Sequence, residues 1–99
     1  MAALPDDVIR YLDRKFSGED RLTAQQALEA AVMHDGKEPE VRLIRCAAVA
    51  SMGRLDRLKM EVASLKQDYR DVIVEGEYDV VEGKLVHARN LNQPIDDAV

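Results

Sequence analysis

From Pro39 to Asp79 the apolar residues recur at helical spacing almost without a break, and between Val41 and Met52 they surround nearly the whole circumference of a helix. Only Arg42 and Arg45 carry charge along that stretch. A helix that is apolar on every side is covered by neighbours on more than one side. The spacing predicts a central helix from about Pro39 to Met52, started by Pro39 as its first residue and ended or bent by Gly53.

Other helices are expected around it. Pro5 opens the first, with Asp6 and Asp7 at the positive end of its dipole and a stripe of Val8, Ile9, Leu12 and Phe16; Ser17-Gly18 ends it. The second starts at Asp20, or at Thr23 with Gln26 in the capping-box pattern. Either start presents Ala24, Ala27, Leu28, Ala31 and Val32 on one face, and His34-Asp35-Gly36 forms the exit. The fourth, from about Arg54 to Gln67, places Leu55, Leu58, Val62 and Leu65 at alternating three- and four-residue steps, with Arg57, Glu61 and Lys66 on other faces. That seam resembles a coiled coil over too few heptads to be one, so packing on the central helix is expected.

Residues 68–79 read two ways. As a helix they have Asp68 as N-cap and a face of Tyr69, Val72, Ile73 and Gly76; as a strand they alternate Val72, Val74, Gly76, Tyr78 and Val80 with mostly polar neighbours. Three consecutive β-branched residues and an internal Gly weaken the helix, but the cap and the spacing agree with each other and favour it. Beyond Tyr78 the pattern Val80-Val81, Glu82-Gly83, Leu85-Val86 predicts a small β-hairpin reaching about Ala88. Arg89 to Val99 lacks periodicity and reads as an extended or mobile tail.

The fold class is therefore mostly α: a compact bundle or short solenoid-like array of four to five helices, with a small β-hairpin and an extended C-terminal tail. A single domain over 1–88 and a tail over 89–99 fit a chain of 99 residues, which is large enough for one core. Aromatics make up only 4%, so aliphatic residues and Ala must fill that core, a palette suited to helix-on-helix packing.

Charge and cysteine usage narrow the function classes. A net charge of −5 opposes nucleic-acid binding, which needs clustered Lys and Arg. The single cysteine, Cys46, allows neither an internal disulfide nor a cysteine-based zinc site and suggests a reducing compartment. The N-terminal residues resemble no secretory signal, and no apolar run is long enough for a membrane span, so cytoplasmic placement without membrane contact is expected.

Chemistry is thinly represented. Cys46 lies among Ile44, Ala47, Ala48 and Val49, where burial would raise its pKa and hide it. Each of His34 and His87 reads as a structural or surface residue; His34 suits a helix C-terminus. On a helical reading Asp68, Asp71, Glu75 and Asp79 share one stripe, with Arg70 among them. Such a stripe reads first as a solvated face and then as a candidate docking surface; a metal ion would need ligands from several directions. Neither a nucleotide-binding loop nor a calcium-loop spacing is present, no cofactor is implied, and no known family motif is carried.

The expected function is a small non-catalytic protein-interaction or regulatory module. Its partner is another protein or a second copy, meeting it at the acidic stripe or at the Leu55, Leu58, Val62 and Leu65 seam. Two alternatives stand beside it: a small enzyme or metal-dependent protein built from His and acidic residues, and an acidic mimic that blocks a basic surface.

Overall fold

A computed structural model describes residues 3–99 and contains five helices, α1 (Asp6–Lys15), α2 (Gly18–Glu29), α3 (Val41–Ala50), α4 (Leu55–Gln67) and α5 (Tyr69–Glu77), followed by a hairpin of β1 (Tyr78–Val81) and β2 (Lys84–His87). Of the ten residues of α3, all but Val41, Arg42 and Arg45 are buried, and the helix packs against α1, α4 and α5. It is the central element that its apolar circumference predicts. The Cα radius of gyration, 12.6 Å, matches the ~13 Å of a well-packed chain of this length.

Most helix ends depart from the sequence pattern by a turn or less. Pro39 and Glu40 lie outside α3, Pro39 buried and Glu40 as the N-cap. Pro5 likewise caps α1, its carbonyl accepting from the N–H groups of Val8 and Ile9. The chain breaks at Phe16-Ser17, which are extended, and α2 starts at Gly18, ahead of both Asp20 and Thr23; the Arg21 N–H to Ser17 carbonyl bond closes the extra turn. It stops at Glu29, leaving Ala31 and Val32 in the loop that leads to His34-Asp35-Gly36.

The seam on α4 faces inward. Leu58 and Leu65 are buried, and Leu55 and Val62 pack against the same core, so the seam is not available to a partner. Glu61, off the seam, is also enclosed at 2% exposure.

Helix α5 settles the segment with two readings. The Asp68 carboxylate accepts from the Arg70 N–H and caps the helix, and Val72, Ile73 and Val74 are all helical. The face that meets α3 is Val72 and Gly76, whereas Tyr69 is 42% exposed. A Cβ on Gly76 would lie 2.7 Å from the Cα of Cys46, so only Gly permits this approach, and packing overrides the β preference of the valines. The backbone turns extended at Tyr78, which places Asp79 on a strand.

Strands β1 and β2 pair antiparallel, Tyr78 opposite His87 and Val80 opposite Leu85, around Glu82-Gly83. Both turn residues have positive φ, 51° and 76°, the geometry that follows the twist of a two-residue hairpin. Residues 88–99 hold neither helix nor strand, yet Leu91 and Ile95 are each only 3% exposed.

Candidate interaction surface

The largest apolar exposure lies on the hairpin. Val80, Leu85, Val81 and Val86 are 71%, 57%, 52% and 44% exposed. Directly opposed residues share a face, so Tyr78, Val80, Leu85 and His87 lie on one side and Asp79, Val81, Lys84 and Val86 on the other. A strand apolar on both faces is the pattern of a strand covered on both sides, and nothing in the described chain covers this one.

Beneath the hairpin runs a groove of about 560 Å³ between the end of α1, the α3–α4 turn, α5 and the strands. Tyr11, Val49, Met52, Val74, Tyr78, Val80, Leu85 and Val99 give it apolar walls; Lys15, Arg57, Arg89, Glu75 and Asp79 supply charge. The Met52 side chain stands 64% exposed on a left-handed backbone turn, φ 51°. Tyr11 is held by a long bond from its hydroxyl to the Val49 carbonyl, 3.5 Å, and burial raises its pKa against the opposing effect of Arg14 and Arg89.

The acidic stripe is divided. Asp68 caps α5 and pairs with Arg70 at 3.0 Å; Asp71 and Glu75 are exposed on the helix, and Glu75 reaches the groove wall. Asp79 stands on β1, paired with Arg89. These four acids therefore do not form one helical line, because α5 ends before the fourth.

Two other carboxylates, Glu77 and Asp7, are buried and meet the arginines of α3. The Arg42 guanidinium binds Glu77 through Nε to Oε2 at 2.8 Å and Nη2 to Oε1 at 2.9 Å. The same carboxylate takes the Leu91 N–H at 3.2 Å and a contact with His87 Nε2 at 3.1 Å, while the Cys46 thiol donates to it at 3.7 Å. Arg42 holds the Glu77 carboxyl down to about 2 against the cost of burial, helped by His87 and the Leu91 N–H. Asp7 accepts from Arg45 Nε at 2.9 Å, from Arg45 Nη2 at 3.2 Å and from the Ile95 N–H at 3.0 Å. Burial pushes the Asp7 carboxyl up, and these donors more than offset it, leaving the pKa below its usual value.

Neither cluster is arranged for catalysis. Every strong donor around Glu77 and Asp7 comes from the chain itself and fixes a carboxylate in its charged form, tying the tail to the helices. Burial, with the adjacent Glu77 charge, pushes the Cys46 thiol up to about 12, the reverse of what a nucleophile needs. His34 borders a groove with Asp68, Tyr69 and Arg70 at the start of α5, whereas His87 stacks edge-on with Tyr78 beyond its other end. The nine residues of α5, ~13 Å at helical rise, separate the two imidazoles. Among the described residues no three His, Cys, Asp or Glu side chains converge as a metal site requires, and no helix is long and apolar enough to cross a membrane.

Sequence reasoning missed the hairpin as a surface and the partners of Arg42 and Arg45. A signal existed for the second: two arginines isolated on an apolar helix require acids that are buried with them. Comparison of the chain with protein-family models, curated proteins and solved structures finds no match among them.

Proposed function

We propose that this chain is a non-catalytic protein-interaction module that acts through the β1–β2 hairpin and the groove beneath it. One observation carries the reading: Val80, Val81, Leu85 and Val86 are exposed on both faces of a two-stranded sheet. A lone hairpin is marginally stable in water, and contiguous exposed apolar groups on a small protein mark a surface used for association. Its open strand edges can also accept a further strand.

The acidic stripe, one of the two candidate docking surfaces in the sequence, contributes Glu75 and Asp79 to the rim of this surface. The partner is another protein or a second copy; a net charge of −5 speaks against nucleic acid. A lone buried thiol suits a reducing compartment, and the cytoplasm is the proposed location.

A native pull-down run in parallel with wild type and a Val80→Ser/Leu85→Ser variant tests the reading, together with the solution mass of each. A partner, or a second copy, held by wild type and released by the variant is expected. No partner at cellular abundance and no self-association would remove the proposal.

A further inference from the structure

We propose that the free edge of β2 pairs with the same strand of a second copy, antiparallel about Leu85, to make one four-stranded sheet across a two-fold axis. This rests on the reading above, that the hairpin is the contact surface, and commits it to one partner and one register. Strand β2 is exposed at every residue, whereas β1 begins at the half-buried Tyr78, so β2 carries the more open edge.

The alternation of the ladder shows which backbone groups are unspent. In an antiparallel pair, opposed residues that exchange both backbone bonds alternate with residues that exchange none. Val81 and Lys84 flank the two-residue turn and form a bonded pair, Asp79 and Val86 form the next, and the bond from the Ala88 N–H to the Glu77 carbonyl, 2.8 Å, continues the series. Leu85 and His87 fall between, so their N–H and C=O groups point out of the hairpin along its edge.

Set antiparallel about Leu85, the strand is its own complement. Leu85 meets Leu85 of the second copy in a bonded pair, and His87 stands against Gly83. On the groove face Val80 and Leu85 of one chain run into Leu85 and Val80 of the other, an unbroken apolar row. On the opposite face Lys84 of the second copy lies beside Val86, in the row that ends at Asp79 two strand spacings away, ~10 Å, a gap that a lysine side chain crosses. Asp79 holds Arg89 through Oδ1 and is 57% exposed, so it can accept this second cation. Like charges, which cross-strand pairing penalises, never stand directly opposite each other.

Both faces of the hairpin gain at once. An occupant laid on one face leaves the valines of the other in water, whereas a strand added at the edge supplies neighbours to both and takes the sheet beyond the two strands that are marginal alone. Because the paired strands run in opposite directions, the helical bodies lie at opposite ends of the joint sheet, and chains of −5 each keep their acidic surfaces apart. With four residues a side, the contact belongs to the small, transient class.

The test is sedimentation equilibrium with amide hydrogen exchange on wild type, Val86→Lys, Val86→Glu and Lys84→Glu/Val86→Lys, each checked for folding by circular dichroism. Wild type should double in mass with rising concentration below ~1 mM, and the Leu85 and His87 amides should gain protection as it does. The dimer holds the contact between Lys84 and Val86 twice, so Val86→Lys should weaken it about fivefold or more, Val86→Glu should tighten it, and Lys84→Glu/Val86→Lys should restore it. Within one chain the signs are reversed, because position 86 stands opposite Asp79, so an effect on hairpin stability alone would favour Lys and oppose Glu. A monomer at every concentration, a dimer whose Leu85 and His87 amides stay unprotected, or a dimer that Val86→Glu weakens would overturn the inference. A monomer that captures another protein in the pull-down and loses it in Val80→Ser/Leu85→Ser would overturn the second copy alone and leave the hairpin reading standing; a monomer that captures nothing would remove both.

Discussion

Gly76 of α5 lies against the backbone of Cys46 in α3 so closely that an added Cβ would stand 2.7 Å from its Cα and 2.8 Å from its carbonyl oxygen. Both obstructing atoms are backbone and cannot rotate away. Ala is the better helix former by ~1 kcal/mol, so propensity alone would favour Gly76→Ala. Overpacking wins: the substitution should cost about 1–3 kcal/mol, read as a lower urea midpoint with an unchanged slope. An unmoved midpoint would mean that α3 and α5 can part freely.

The Glu77 carboxyl makes stability depend on acid. Its pKa falls from 4.5 to about 2 on folding, so between those values the unfolded chain binds more protons and stability drops as pH falls. The stabilisation, on the order of 3 kcal/mol, is fully present above about pH 5. Asp7, also lowered, acts in the same direction. Glu77→Gln should destabilise the protein at pH 7 and flatten its stability between pH 5 and pH 2, as followed by circular dichroism. A variant with the wild-type acid profile would show that Glu77 is not the titrating group.

Asp7 and Arg45 are 5% and 11% exposed, and breaking such a pair from one side leaves the other charge buried. Asp7→Ala should cost ~3–5 kcal/mol and free the Ile95 amide, which then loses its protection from hydrogen exchange. Asp7→Ala with Arg45→Met should recover part of the loss. Full Ile95 protection in Asp7→Ala would contradict the tail anchor.

Cys46 is fully buried, with its thiol pushed up to about 12. A disulfide reagent at pH 8 should modify it only as fast as the chain opens, and urea should accelerate labelling to the rate of a free thiol. Rapid labelling of the folded protein would place the thiol outside the core.

What the sequence made legible follows from how local each signal is. The central helix was readable because the residues from Leu43 to Ala50, Arg45 apart, are apolar on nearly all sides, and Asp68 was readable as a cap because the donor its carboxylate accepts from lies two residues on, at the Arg70 N–H. The turn at Glu82-Gly83 announced itself by composition. In contrast, Asp7 meets the Ile95 N–H across 88 residues, and no periodicity encodes that contact. The same holds for Gly76, which resembled a helix weakener until its neighbour across the helix pair was known. The groove depends on how the hairpin leans over Tyr11 and Val49, a relation between elements that pattern reading does not reach.

The account rests on a division of labour, with helices held by the buried core and the hairpin left free to bind. Its most direct test is a pair of measurements on Val80→Ser/Leu85→Ser: thermal midpoint, and recovery of the partner or second copy that wild type holds. Exposed sites contribute little to stability, so the midpoint should stay within a few degrees of wild type while recovery is lost. A cooperative loss of folding in the variant, or undiminished recovery, would contradict it.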